Sequence, residues 1–168
     1  MSRAFVKEPD GDDVKDDLPE RTVSSHPNYV TGEGLNQLRE ELRRCESEQE
    51  RLGGGEDDFQ AKLQLAKVER DLRYFRTRLE QAIPVNPEEQ DTEYVRFGMQ
   101  VEVFEGEKLR RFRIVGEDEA LLGENLVSWV SPLARAVLGA QEADLVRWEK
   151  PNGNVTLEIL SFGYTLET

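Results

Sequence analysis

Three consecutive glycines, Gly53, Gly54 and Gly55, separate two stretches whose seam residues recur at alternating steps of three and four. Upstream the seam reads Leu35, Leu38, Leu42, Cys45, Gln49 and Leu52; downstream it reads Ala61, Leu65, Val68, Leu72, Phe75, Leu79 and Ala82. That is the heptad spacing of helices that bury one stripe against a partner. Each glycine disfavours helix by roughly 1 kcal/mol against alanine, so the run ends the first helix. So short a connection turns the second helix back along the first, because a parallel pair needs a long crossover. The pattern predicts an antiparallel two-helix coiled-coil hairpin. Thr31 is placed to cap its first helix, with Glu33 in the first turn, and Pro84 marks the end of the second. A hairpin this thin is expected to rely on docking of its base onto the domain that follows.

After a polar connection the period changes from heptad to two. Met99, Val101 and Val103 alternate with polar residues, as do Phe112 and Ile114. Residues 126–130 read as a third strand. Ser131 followed by Pro132 is an N-cap with proline at N1, and Gly139 stands where a C′ glycine belongs, which predicts a short helix over 132–138. Residues 145–148 and 155–162 read as a hairpin across Pro151, Asn152 and Gly153. The expected class is α+β. It has an acidic, disordered tail over 1–28, the coiled-coil hairpin over 29–83, a linker over 84–94, and an antiparallel sheet domain with one short helix over 95–168.

Charge narrows the partners. The chain has 168 residues and a net charge of −13. Residues 83–168 hold 16 acids against 8 bases, whereas residues 31–82 hold 12 against 10. A domain at −8 is a poor direct ligand for duplex DNA, where phosphate neutralisation supplies most of the affinity. A protein with a basic or mixed face suits it better. One cysteine, Cys45, excludes an intramolecular disulfide and suits a reducing cytoplasm. One histidine, His26, leaves no His/Cys zinc set. No apolar run is long enough to span a membrane and the N-terminus has no signal-peptide core, so a cytoplasmic protein is expected.

Several stretches resemble the Gre family of bacterial transcript-cleavage factors. In the C-terminal part they are Val95-Arg-Phe-Gly98, Phe112-Arg-Ile-Val-Gly-Glu-Asp-Glu119, Ser131-Pro-Leu-Ala-Arg135 and Pro151-Asn-Gly153. In the first helix, Thr31 and Gly34 with Leu38-Arg-Glu-Glu-Leu42 resemble the family's opening segment. The resemblance implies a coiled-coil arm followed by an FKBP-like domain, and bacterial RNA polymerase as partner. The globular domain would dock at the rim of the polymerase's secondary channel while the arm points toward the active centre. Nucleic acid would be met only within that complex, and the factor would act as a monomer. It implies no stably bound cofactor, only a Mg²⁺ shared with the polymerase. Carboxylates at the arm tip would supply oxygen ligands to that ion, completing the polymerase's own two-metal site for RNA cleavage.

The tip acids here are Glu56, Asp57 and Asp58. They lack the family's active pattern, an Asp followed three residues later by Glu-Asn. Asp57 also fits a capping box with Gln60, which would make its neighbours ordinary acids at a helix start. The arm is about one heptad per helix shorter than in a cleavage-active factor, roughly 10 Å of lost reach at about 1.5 Å per residue. Short-armed relatives that resemble Gre factors, such as the regulator of nucleoside diphosphate kinase, imply a second reading: channel occupancy without cleavage. Lys67, Arg70 and Arg73 are candidates to face RNA or the channel wall, or else form a solvated, salt-bridged face with Glu69 and Asp71. Asp118, Glu119, Ser131 and Pro132 fall where the family meets polymerase.

Two other classes compete. Prolyl isomerisation needs a concave apolar site, and Phe97, Phe104, Phe112 and Phe162 are scattered along the predicted strands. A plain interaction module would need spare apolar surface on the hairpin, but one seam is already used within it.

Overall fold

The computed structural model describes residues 18–53 and 59–164. The chain divides into two compact units, one of Met1–Ser24 with Leu38–Glu80, the other of Ser25–Gln37 with Gln81–Thr168.

The first unit is built on two long helices, α1 (Gly32–Leu52) and α2 (Phe59–Glu80). Leu38 and Cys45 of α1 are buried, as are Ala66, Val68, Leu72 and Phe75 of α2. The heptad seam thus holds at its centre. The other members Leu35, Leu42, Gln49, Leu52, Ala61, Leu65 and Leu79 are half-buried. Glu46 meets Arg76 across the helices at 3.5 Å. Burial raises the pKa of the Cys45 thiol, so the side chain behaves as a small apolar residue. Residues 18–24, read from composition as part of a disordered tail, make specific contacts on α2. Glu20 pairs with Arg73 at 2.5 Å, and the Arg21 guanidinium lies 3.7 Å from the Tyr74 ring centroid.

The second unit opens with β1 (Asn28–Val30), which pairs in parallel with β2 (Ala82–Pro84). This corrects the placement of Ala82: it pairs with Asn28 in a strand and is not on the helical seam, because α2 already ends at Glu80. The expected linker holds a 3₁₀ turn at Pro87–Glu89, capped by the Asn86 side chain, which accepts from the Glu88 amide. Farther on, Gln90 Nε2 donates to the Phe97 carbonyl at 2.9 Å and to the Tyr164 hydroxyl at 2.6 Å.

Five strands form the main sheet: β3 (Gln100–Glu105), β4 (Lys108–Val115), β5 (Leu126–Ser128), β6 (Leu145–Trp148) and β7 (Val155–Gly163). Their order is β5-β4-β3-β7-β6. Three pairings are antiparallel and one, between β4 and β5, is parallel, so the sheet is mostly antiparallel, as expected. The connection between them holds a 3₁₀ turn (Glu119–Leu122) and returns β5 in the same direction. The third strand stops at Ser128, two residues short of expectation, because Ser131 must turn to cap the next helix. Gly106 takes a left-handed φ of 67° in the two-residue turn between β3 and β4.

Period-two patterning sends one face inward. Val101, Val103, Phe112, Ile114, Leu157 and Ile159 are buried together with Leu133, Ala134 and Val137 of the short helix α3 (Pro132–Val137). The opposite face is solvated. There Phe104 pairs with Leu109, and both are exposed. Phe112 in the core and Phe104 on the outer face therefore point to opposite sides of the sheet, and do not line one aromatic site.

Candidate functional site

The sequence candidates fall into three groups. The first, Glu56, Asp57 and Asp58, lies outside the described residues. Sequence order alone puts these acids in the connection between α1 and α2. Three carboxylates are the hard oxygen donors that Mg²⁺ prefers, so the donor set suits that ion chemically. Among the described residues, no group of three or more His, Cys, Asp or Glu side chains is arranged to hold a metal.

The second group lies on α2. Arg70 donates through Nε and Nη2 to Asp71 Oδ1 at 3.3 and 3.2 Å. Arg73 forks onto Glu20, with Nε 3.1 and 3.3 Å from its two carboxylate oxygens. That fork holds the Glu20 carboxyl below its ordinary pKa. Lys67 is exposed. Two of the three bases are therefore engaged by carboxylates, one local and one from the N-terminal segment. The second engagement was not expected from the sequence.

The third group is the most fully built, and all of it belongs to the unit of Ser25–Gln37 with Gln81–Thr168. Thr31 caps α1: its Oγ1 accepts from the Gly34 amide at 3.0 Å. The same hydroxyl donates to Glu119 Oε2 at 2.7 Å. Glu119 is only 5% exposed, and burial raises its pKa above the usual value, outweighing the Thr31 hydrogen bond that lowers it. The carboxylate expected to face a partner is thus turned inward, committed to the first turn of α1. Two glycines permit this approach. A Cβ on Gly34 would meet Glu119 Oε2 at 2.5 Å, and one on Gly116 would meet the Tyr29 carbonyl oxygen at 2.6 Å. Arg113 adds a bridge, donating to Glu33 at 2.5 Å and to the Gly98 carbonyl at 3.0 Å.

The remaining candidates belong to the same unit. Asp118 is half-buried at the start of the 3₁₀ turn and makes no side-chain cap. Ser131 caps α3 by accepting from the Ala134 amide at 3.2 Å, and Pro132 is exposed at N1. The turn adds two residues that sequence reasoning missed. Leu121 is 79% and Leu122 62% exposed, an apolar pair beside Asp118. Adjacent leucines among acids fit neither period two nor the heptad, which was the available signal. On the inner side, Trp129 packs edge-on against Tyr29 and His26, with ring centroids 5.1 and 6.1 Å apart.

Comparison with known proteins gives the following. Residues 90–164 match the family described as "Transcription elongation factor, GreA/GreB, C-term". Transcription elongation factor GreB of Neisseria meningitidis is 33% identical over 153 residues, covering 82% of this chain and 94% of the relative. The GreB of Yersinia pestis is 34% identical over 152 residues, covering 82% and 89%. The GreA of Nitratidesulfovibrio vulgaris is 28% identical over 157 residues, covering 84% and 97%. Among solved structures, a GreA/GreB factor of Nitrosomonas europaea aligns at a TM-score of 0.40 with 19% identity, covering 81% of this chain and 98% of the other.

Proposed function

Because this chain belongs to the GreA/GreB family of transcription elongation factors, we propose that it binds bacterial RNA polymerase at the secondary channel and modulates elongation. The observation that carries this reading is the exposed edge formed by Leu121 and Leu122 in the 3₁₀ turn, beside the half-buried Asp118. It combines an apolar pair with an acidic rim, the composition of a protein-docking patch, on a part of the chain too acidic for nucleic acid. The joint of Thr31 with Glu119 braces the turn that presents this edge.

Cleavage chemistry in this reading belongs to the polymerase. The chain's part is to bring Glu56, Asp57 and Asp58 toward the polymerase's active centre, where a shared Mg²⁺ would polarise the RNA phosphate and activate water. A carboxylate ligates Mg²⁺ only within about 2.1 Å, so the length of α1 and α2 decides between cleavage and mere occupancy of the channel. The protein is read as a cytoplasmic monomer outside that complex. No described helix is long and apolar enough to cross a membrane.

The test is transcript cleavage on purified, backtracked polymerase complexes with Mg²⁺. Faster release of short 3′ RNA, lost on changing Glu56, Asp57 and Asp58 to Ala, establishes cleavage stimulation. No acceleration, together with competition against a cleavage-active factor, establishes the channel-occupying reading. If neither effect appears, the polymerase reading falls.

A further inference from the structure

The segment Leu18–Ser24 contains neither helix nor strand, yet it is held against α2 by side chains. Glu20 occupies the fork of Arg73. Arg21 lies over Tyr74 at 3.7 Å and near Phe75 at 5.0 Å, and donates to Asp71 at 3.4 Å. Asp71 also accepts from its neighbour Arg70, so one carboxylate is shared between the segment and the helix. These contacts cover a face of α2 that would otherwise offer a guanidinium and an aromatic ring to a partner.

The attachment suits reversible closure. Glu20 and Arg73 are 60% and 56% exposed as side chains, and an ion pair so open to water and salt is weak. The Arg21 stack is better shielded, and the segment meets α2 through the side chains of Glu20 and Arg21. A competing carboxylate with better burial would displace it.

We propose that Leu18–Ser24 is a detachable strap that closes the Arg73 and Tyr74 face of α2, and that an acidic protein segment of RNA polymerase displaces it on binding. The inference rests on the polymerase reading above. The resident ligand of Arg73 is a carboxylate, so the incoming group is a carboxylate of the partner. The strap lowers apparent affinity by the fraction of molecules in which it is open.

The experiment measures binding of the full chain to core polymerase free of nucleic acid, for wild type, Glu20→Ala and Arg21→Ala. Tryptic cleavage after Arg21 is followed in wild type, Glu20→Ala and Tyr74→Ala as a readout of strap opening. The expected result is faster cleavage in both variants, and affinity raised about 3- to 10-fold in Glu20→Ala and Arg21→Ala. Adding Arg73→Ala to Glu20→Ala should abolish the gain. Faster cleavage with unchanged affinity overturns the gating role, and unchanged cleavage overturns the strap itself. A gain that appears only on RNA-bearing complexes overturns the carboxylate partner in favour of phosphate. Absence of binding by every form overturns the polymerase reading instead, and the displacement proposal falls with it.

Discussion

The Thr31 hydroxyl donates to the buried Glu119 carboxylate at 2.7 Å while accepting from the Gly34 amide at 3.0 Å. One side chain thus caps the first helix and satisfies an acid 88 residues away. Thr31→Ala removes both bonds and leaves Glu119 buried without its donor. The expected cost is about 2–3 kcal/mol, the sum of a lost cap and an orphaned charged acceptor. Thr31→Ser keeps the hydroxyl and should recover most of it. Urea unfolding followed by circular dichroism measures both, and equal stability of Thr31→Ala and wild type would remove the joint from the account.

Glu119 also sets a pH dependence of unusual sign. Its folded pKa is raised, chiefly by burial, so the folded state binds the proton more readily than the unfolded chain does. Its contribution to stability is therefore fully present below the unfolded carboxyl value of about 4.3 and is lost as pH rises through the folded value. The surface-paired acids Glu20, Glu48, Glu102 and Glu105 are shifted downward by their hydrogen-bonded partners and contribute in the opposite direction, losing stability as pH falls. Glu119→Gln separates the two. The stability of wild type minus that of Glu119→Gln should grow as pH falls across the carboxylate range. A difference that is flat or shrinks there contradicts the assignment.

Backbone approach makes a sharper demand at Gly116 than at Gly34. The atom facing a Gly116 Cβ is the Tyr29 carbonyl oxygen at 2.6 Å, part of the backbone of β1. The atom facing a Gly34 Cβ is the end of the Glu119 side chain, which can swing away. Gly116→Ala is expected to cost about 1–3 kcal/mol through overpacking. Gly34→Ala should instead act by breaking the Thr31 joint, so it should add little when combined with Thr31→Ala. Thermal unfolding of the two single variants and the double variant decides this. Full additivity would separate Gly34 from the joint.

What could be read beforehand follows the range of each interaction. Leu38, Cys45, Val68, Leu72 and Phe75 recur at heptad spacing, and their local pattern is enough to place both helices. Ser131 and Pro132 announce α3 because capping is local chemistry. By contrast, the pairing of Asn28 with Ala82 joins three-residue strands far apart in sequence, with no pattern long enough to detect. Glu119 reads as a surface acid beside Asp118, because only the fold brings Thr31 and burial to it. Arg21 over Tyr74 is likewise a tertiary contact inside a polar, proline-bearing stretch. Asn86 and Gln90 share this lesson: polar residues in an apparent linker acquire fixed roles through partners, such as Tyr164 for Gln90, that composition does not reveal.

The exposed edge separates stability from binding. Leu121 and Leu122 are 79% and 62% open to water, so replacing both with Ser removes little buried area and should change stability by no more than about 0.5 kcal/mol. If the edge docks on polymerase, the same change strips the apolar centre of the patch and should weaken binding by about tenfold or more. Asp118→Lys alters the rim, and its effect should fall mainly on association rate and shrink with added salt. Ser131→Ala is the contrasting case: it removes the cap of α3 and should lower stability by about 1 kcal/mol. Surface binding kinetics on core polymerase, set beside unfolding midpoints, reads both quantities for each variant. Undiminished binding by the double leucine variant would move the docking surface away from the 3₁₀ turn.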